Sequence, residues 1–305
     1  MPATAPAKTP SDTDERRPTE AELMNADGRL VSEADHWAYY YEFPDAHYEW
    51  NNGRLGEKPV SDNLTYWIDD WLRSLLDQFL KVNPIAKCTG LEHGFRLALT
   101  DRIVIRKPDL GVVRNDNPVR LSDLDRSYRG IFDLCIEALA DSTRAARERD
   151  EVEKRRDYAD AGVRESYLVH HGPERLTFLS RDRRESFESI LDKEGIVRSR
   201  TLPGFQFRTS DLIARTSIDD LRHDLVYRDF VHPEWQQEEQ ALAQAEQAQR
   251  MEEHARHRTE QALRETERQR NAAIAKLHAL GLDPDQIAAT LAIEPDVVRQ
   301  HLANG

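Results

Sequence analysis

From Ile131 to Ala140 the chain reads IFDLCIEALA, a short apolar run bounded on both sides by polar, turn-forming residues. Runs of this kind read as buried strands. A glutamate, Glu137, stands inside it. A carboxylate in a buried strand is costly unless a cation, a metal or a hydrogen-bond donor meets it. Any fold the chain adopts must therefore bring a partner to Glu137. Period-two alternation sets Asp133, Cys135, Glu137 and Leu139 on one face and Phe132, Leu134 and Ile136 on the other. A highly charged helix is expected to follow, capped by Asp141, Ser142 or Thr143. Within it Glu151, Lys154 and Tyr158, spaced by three and four, share a face. A strand carboxylate with a lysine pointed back at it suits phosphodiester hydrolysis.

The rest of the chain sets the bounds. A chain of 305 residues holds one core domain with appendages, or two small domains. Charged residues make up 32% and hydrophobic ones 39%, which fits a soluble protein with extended charged segments. No apolar run approaches the roughly 20 residues that span a bilayer, and the first residues lack the apolar centre of a signal peptide. Cys88 and Cys135 form neither a ligand cluster nor a disulfide framework. The expectation is a cytoplasmic protein of a reducing compartment. The net charge of −13 opposes nucleic-acid binding taken globally, but local basic patches matter more than the sum.

Residues 1 to about 30, rich in Pro, Thr, Ala, Asp and Glu, are expected to be disordered. Aromatics crowd between Trp37 and Trp50 as anchors around a short strand. YEWNNGRL, residues 48–55, reads as a strand and a turn at Asn51, Asn52 and Gly53. Ser61, Asp62 and Asn63 start a helix whose Leu64, Trp67, Ile68, Trp71, Leu72, Leu75, Leu76 and Phe79 recur at helical spacing. Asn83-Pro84 ends it. GFRLAL and RIVIR form a hairpin around Thr100-Asp101. Asp109 follows Pro108, where an aspartate is often only a turn residue. A polar loop, residues 115–129, leads to the Glu137 strand. Gly162 stops the helix beyond it. SYLVH and RLTFLS are then strands, with His170 and His171 read as hairpin-end residues. A strand pair over about 196–207 and a short helix after Ser210 complete a mixed α/β arrangement.

Beyond Pro233 the composition changes. Residues 234–280 contain no Gly or Pro and are dominated by Glu, Gln, Arg and Ala, so they form one long helix. Ala241, Ala248, Ala255 and Ala262 recur every seven residues, but the remaining seam positions are polar. A coiled coil and a solvated helix both fit. The last stretch, LGLDPDQIAATLAIEPDVVRQHL, reads as two short helices around a tight turn, beginning at Asp283-Pro284 and at Ile293-Glu294-Pro295. Ile287, Leu291, Val297, Val298 and Leu302 would lie inside. So thin a core is expected to dock on something.

Taken together, Pro108-Asp109, the glutamate in IEALADST and the helix running EKRRDYADAGVRESYLV resemble the Uma-type putative restriction endonucleases of the PD-(D/E)XK nuclease superfamily. Tyr48, Glu49 and Gly53 match the family's Tyr-Glu opening and glycine turn. Leu202, Pro203 and Gly204 match its Leu-Pro-Gly turn. The resemblance covers about residues 37–215. Two positions depart from the pattern: Ala140 and Asp141 stand before Ser142-Thr143 where Ser-Pro-Ser is usual, and Leu139 stands where the superfamily has its lysine. Lys154, on the following helix, matches a displaced lysine.

What the resemblance implies is an α/β fold: a restriction-endonuclease-like mixed sheet flanked by helices, followed by the long C-terminal helix and a small helix-turn-helix-like tail. The domains would be a disordered segment 1–30, a nuclease domain 31–232, the long helix 233–280 and the tail 281–305. The implied activity is Mg²⁺- or Mn²⁺-dependent hydrolysis of DNA. Asp109 and Glu137 would bind the metal, Lys154 would assist the attacking water, and Glu49 would be a further catalytic carboxylate. Arg144, Arg147, Arg149, Arg155 and Arg156 either contact the DNA backbone or form a balanced charged face. The expected partners are DNA and, through the C-terminal helix, a second copy of the chain, with no membrane. The alternative is an inactive nuclease fold acting as a DNA-binding or scaffold protein through its C-terminal helices.

Overall fold

The computed structural model describes residues 17–90, 93–140 and 149–304. The chain divides into two compact units, Met1–Pro233 and Glu234–Gly305.

In the first unit, strands β1 (Tyr48–Asn51) and β2 (Arg54–Glu57) form a hairpin. Its turn places Asn52 and Gly53 at φ +46° and +100°, the left-handed region that Asn and Gly tolerate. The next strands are β3 (Ala86–Cys88), β4 (Phe95–Ala98), β5 (Ile103–Arg106) and β6 (Leu110–Arg114). After them come β7 (Leu134–Ala138), β8 (Glu165–Val169), β9 (Thr177–Arg181) and β10 (Phe187–Ser189). The last two are β11 (Ile196–Arg198) and β12 (Gln206–Arg208). They divide between a four-stranded sheet ordered β2-β1-β5-β4, a six-stranded sheet ordered β10-β9-β8-β7-β6-β3, and the β11-β12 ribbon. In the six-stranded sheet β7 and β8 are parallel and the other pairs antiparallel, so the sheet is mixed. The hairpin that carries Glu49 thus belongs to a different sheet from Glu137.

The Asn63–Val82 helix opens on Asp62, whose carboxylate accepts the Thr65 amide, and closes at Asn83. Its Leu72, Leu75, Leu76 and Phe79 pack with Val112, Leu134, Ile136 and Tyr167 from one face of the six-stranded sheet. Each such side chain contributes roughly 1.5–3 kcal/mol on burial. Leu64 and Trp67, expected on the same stripe, are 41% and 48% exposed. In those first turns it is Thr65 and Ile68 that are buried, the Thr65 hydroxyl donating to the Leu139 carbonyl at 3.1 Å. On the other face Cys135 packs with Phe95, Val104 and Tyr158. Phe132 lies in that same cluster rather than with Leu134 and Ile136, because it precedes the strand and escapes its alternation. Gly111 is required here: a Cβ would come within 2.6–2.8 Å of the Phe132 ring.

The expected disorder up to residue 30 is corrected from residue 17 onward. Glu20–Met24 is a helix with a Thr19–Glu22 capping box. Leu23 and Ala26 are buried with Tyr40, Tyr48, Trp50 and Leu55, and the Tyr48 hydroxyl donates to the Leu23 carbonyl at 2.7 Å. Apolar contact with the aromatic crowd outweighs the polar composition. The proposed cap at Asp141, Ser142 or Thr143 lies outside the described residues.

In the second unit the long helix runs Pro233–Ala279, with Ala241, Ala248, Ala255 and Ala262 exposed. Two short helices follow. Pro284–Leu291 is capped reciprocally by Asp283 and Gln286 and ended by left-handed Ala292, and Pro295–Asn304 comes after it. Ile287, Ala288 and Val298 pack on Ile274, with Leu277 and Leu302 beside them. The short pair therefore docks on the last turns of the long helix and makes a three-helix core. Val297, expected inside, is only half-buried. Among the described residues no helix is long and apolar enough to cross a membrane.

Candidate active site

Asp109 sits where the chain leaves β5 of one sheet and enters β6 of the other. Pro108, with no N–H to satisfy, occupies the joint. The β6–β7 register pairs Leu110 with Ile136, which brings Asp109 to the end of β7. There the Ala138 amide donates to Asp109 Oδ2 at 2.8 Å. Lys58, just beyond β2, donates to Asp109 Oδ1 at 3.0 Å and to the Lys107 carbonyl at 2.8 Å. Arg73 of the Asn63–Val82 helix holds the Asp109 carbonyl at 3.2 Å.

Glu137 faces the helix that forms a π turn over Arg149–Glu153 and an α-helix over Lys154–Ala161. Lys154 and Tyr158, one turn apart, reach it together. Lys154 Nζ lies 2.8 Å from Glu137 Oε2, and the Tyr158 hydroxyl donates to Oε1. The same ammonium lies 3.1 Å from Glu49 Oε1. Glu49 also accepts the Lys107 amide at 2.9 Å and Arg106 Nη1 at 3.0 Å. Arg106 then donates from Nε and Nη2 to Asp157 Oδ2 at 2.9 and 2.6 Å, and Arg102 closes on the other oxygen. Glu49, Arg106, Glu137, Lys154 and Asp157 are each less than 5% exposed.

Burial pushes the Glu137 carboxyl up to about 7; Lys154 opposes the rise and the neighbouring Asp109 charge adds to it. Burial also pushes Asp109 up, but Lys58, Lys154 and the Ala138 amide together hold it below its ordinary value. One acid is thus kept ionised beside another that changes charge near neutrality. Buried Asp69 is raised by desolvation and by Asp109.

The four residues singled out from sequence, Glu49, Asp109, Glu137 and Lys154, come together in one network. Glu151, on the same helix face, instead pairs with Arg175 at 2.7 Å. His170 lies at the β8–β9 turn, taking the Gly172 amide at 2.8 Å and meeting Arg175 at 2.9 Å. Arg155 and Arg156 are exposed, with Arg156 Nε 3.7 Å from Asp160. Arg144, Arg147 and the Arg149 side chain lie outside the described residues. Sequence reasoning missed Lys58, Arg106 and Asp157. Arg106 had a signal, since alternation with Val104 turns it inward. Asp157 had one too, three residues after Lys154. Lys58 follows the hairpin in a Gly-Glu-Lys-Pro stretch that carries no pattern.

Among the described residues no group of three or more His, Cys, Asp or Glu side chains is set to hold a metal ion. The Asp109–Glu137 pair nevertheless fits a hard divalent cation. Both donors are carboxylates, and Glu137, raised chiefly by burial with the Asp109 charge adding to it, is a group that a bound cation would hold ionised. Mg²⁺ is commonly held by one or two carboxylates with water and phosphate as the other ligands.

Among solved structures the chain is similar to a putative nuclease belonging to DUF820 from Anabaena variabilis ATCC 29413. The two are 16% identical, with a TM-score of 0.45, over 58% of this chain and 96% of that one. No curated protein matches. Residues 33–211, more than half of the chain, match the family Uma2, described as "Putative restriction endonuclease". The span includes Glu49, Asp109, Glu137 and Lys154, and the chain belongs to the Uma2 family.

Proposed function

We propose that the chain is a metal-dependent endonuclease hydrolysing DNA phosphodiester bonds, with Asp109 and Glu137 as ligands for Mg²⁺ or Mn²⁺. Family membership supports a nuclease. The observation that carries the finer reading is the meeting of Asp109 and Glu137 at the end of β7, with the Lys154 ammonium held between Glu137 and Glu49. A bound cation supplies a water of lowered pKa and polarises the phosphoryl oxygen. Lys154 supplies a fixed positive charge beside Glu137, able to orient the attacking water and to stabilise charge that builds on the phosphorane. Glu49 aims that lysine, and Arg106, clamped by Asp157, aims Glu49. Tyr158 fixes the Glu137 carboxylate plane. Exposed Arg155 and Arg156 suit contact with the phosphate backbone.

The test is a cleavage assay on supercoiled, linear and single-stranded DNA with Mg²⁺, Mn²⁺ or EDTA. Metal-dependent nicking that falls at least ~100-fold in Asp109→Ala and Glu137→Ala is expected, with Lys154→Ala testing the lysine. Nicking that persists in both acid variants rejects the assignment.

One observation favours a second reading, an inactive fold that binds DNA or a second copy of the chain through its C-terminal helices. Every carboxylate oxygen of Glu49, Asp109 and Glu137 already accepts a protein donor. A Mn²⁺ titration separates the two: binding that disappears in Asp109→Ala supports the enzyme, and no binding by the wild type supports the inactive fold.

A further inference from the structure

A cavity of about 220 Å³ opens beside Glu137, between β8 and β9 on one side and the residue 149–161 helix on the other. Leu168 and Leu179 contribute apolar walls from the sheet, where each is half-buried between fully buried neighbours. Val152, 52% exposed, contributes a third wall from the helix. Glu137 and Tyr158 also line the space, so it adjoins the acid of the site just described. Its remaining lining includes Glu174 and Arg155, both exposed. Among the described residues neither side chain has a hydrogen bond or ion pair.

Size and chemistry narrow the occupant. The volume lies below the ~300–1,000 Å³ of pockets for drug-sized ligands. It admits a single flat heterocycle and excludes a duplex. Three uncovered apolar side chains suit the faces of such a ring, as in the pockets that receive an unstacked base. Exposed Glu174 repels a phosphate but accepts N–H groups from an amino-bearing edge. The Arg155 guanidinium suits a backbone phosphate that stays outside.

We infer that this cavity takes one unpaired nucleobase with an amino edge, next to the bond cut at Glu137, so that the preferred substrate is DNA carrying an unpaired nucleotide. The inference rests on the nuclease reading and names its substrate class.

The test uses the full chain in EDTA, so that nothing is cut. Fluorescein-labelled oligonucleotides of one sequence are offered as a single strand, as a duplex with one unpaired adenine, and as a perfect duplex. Tighter binding of the first two by about tenfold is expected, in keeping with the saving on unpairing a base. Leu168→Trp fills the cavity from the sheet. Val152→Trp fills it from a solvent-exposed position that tolerates a large side chain. Both are expected to bring the ratio within about twofold, and Glu174→Gln to weaken binding of the duplex with one unpaired adenine. Equal binding of paired and unpaired DNA by the wild type, or a ratio kept in both tryptophan variants, overturns the inference. The cleavage assay keeps the two readings apart. Acid-dependent nicking of DNA without a preference for unpaired sites rejects the cavity and keeps the nuclease. A tryptophan-sensitive preference without nicking keeps the cavity and rejects the nuclease.

Discussion

Replacing Lys154 with methionine keeps the length and apolar stem of the side chain and removes only the ammonium. In the native chain that charge lies 2.8 Å from Glu137 and 3.1 Å from Glu49, and all three side chains are 5% exposed or less. Removing one partner of a buried ion pair costs about 3–5 kcal/mol, mostly because the surviving charge is left without compensation. Arg106 still holds Glu49, so the larger share falls on Glu137. That share depends on pH. Glu137 is raised from 4.5 to about 7, so its neutral form is favoured in the folded state. Its contribution to stability is full below pH 4.5 and is lost as pH rises through 7. At 1.36 kcal/mol per pKa unit, the rise corresponds to about 3 kcal/mol. Without Lys154 the carboxyl is driven higher still. At pH 8 the variant should therefore lose about 3–5 kcal/mol. At pH 5, where Glu137 is neutral with or without the lysine, the loss should fall to less than half, the part owed to Glu49. Urea unfolding followed by tryptophan fluorescence measures this directly, because Trp37, Trp50, Trp67 and Trp71 all lie in the first unit. In Lys154→Met/Glu137→Gln most of the pH 8 loss should return. A pH-independent loss, or a double variant no more stable than the single one, would refute the reasoning.

Arg106→Met leaves Glu49 and Asp157 facing each other without their shared guanidinium. A loss of about 3–5 kcal/mol should appear as a Tm lowered by about 10 °C. Arg106→Lys should recover little, since one ammonium cannot reproduce the paired donors to Asp157; a Tm within measurement error of wild type would count against the clamp. His36 is fully buried, neither ring nitrogen has a hydrogen-bond partner among the described residues, and burial with the Lys107 charge lowers it from 6.5 to about 4. A lowered histidine disfavours the folded state as pH falls from 6.5 toward 4, because the unfolded chain takes up the proton first. His36→Phe should therefore gain about 2 kcal/mol relative to wild type between pH 8 and pH 5. Urea midpoints at the two pH values measure it, and a constant difference would show that His36 is hydrated.

Local rules made much of this legible. The Asn52-Gly53 turn, the Asp62 cap, the β4–β5 hairpin and the Gly162 stop each follow from one or two residues whose backbone preferences are strong. Glu137 announced itself as a charge inside an apolar run, and Lys154 with Tyr158 as helix neighbours that would return to it. What stayed hidden was carried by long-range pairing. Asp109 stands out only through the family resemblance; by local pattern it looks like any turn aspartate, and it is the β6–β7 register that sets it against Ala138. Lys58 is 51 residues from Asp109 and Arg106 is 51 from Asp157, and no periodicity links residues so far apart. The two-sheet division was equally hidden, since β5 and β6 are separated only by Lys107-Pro108-Asp109.

The distribution of the site over the chain has a consequence for the cell that makes it. A ribosome-bound chain that has emerged only to Arg114 already carries Glu49 and Asp109, yet lacks the strand, the lysine and the tyrosine that meet them. Nothing shorter than a chain through Tyr158 can assemble the acids around Lys154, and β8 must then pair with β7 to complete the sheet that supports them. Chains that end before Tyr158 therefore cannot complete the cluster, and on the nuclease reading proposed above they would be inactive.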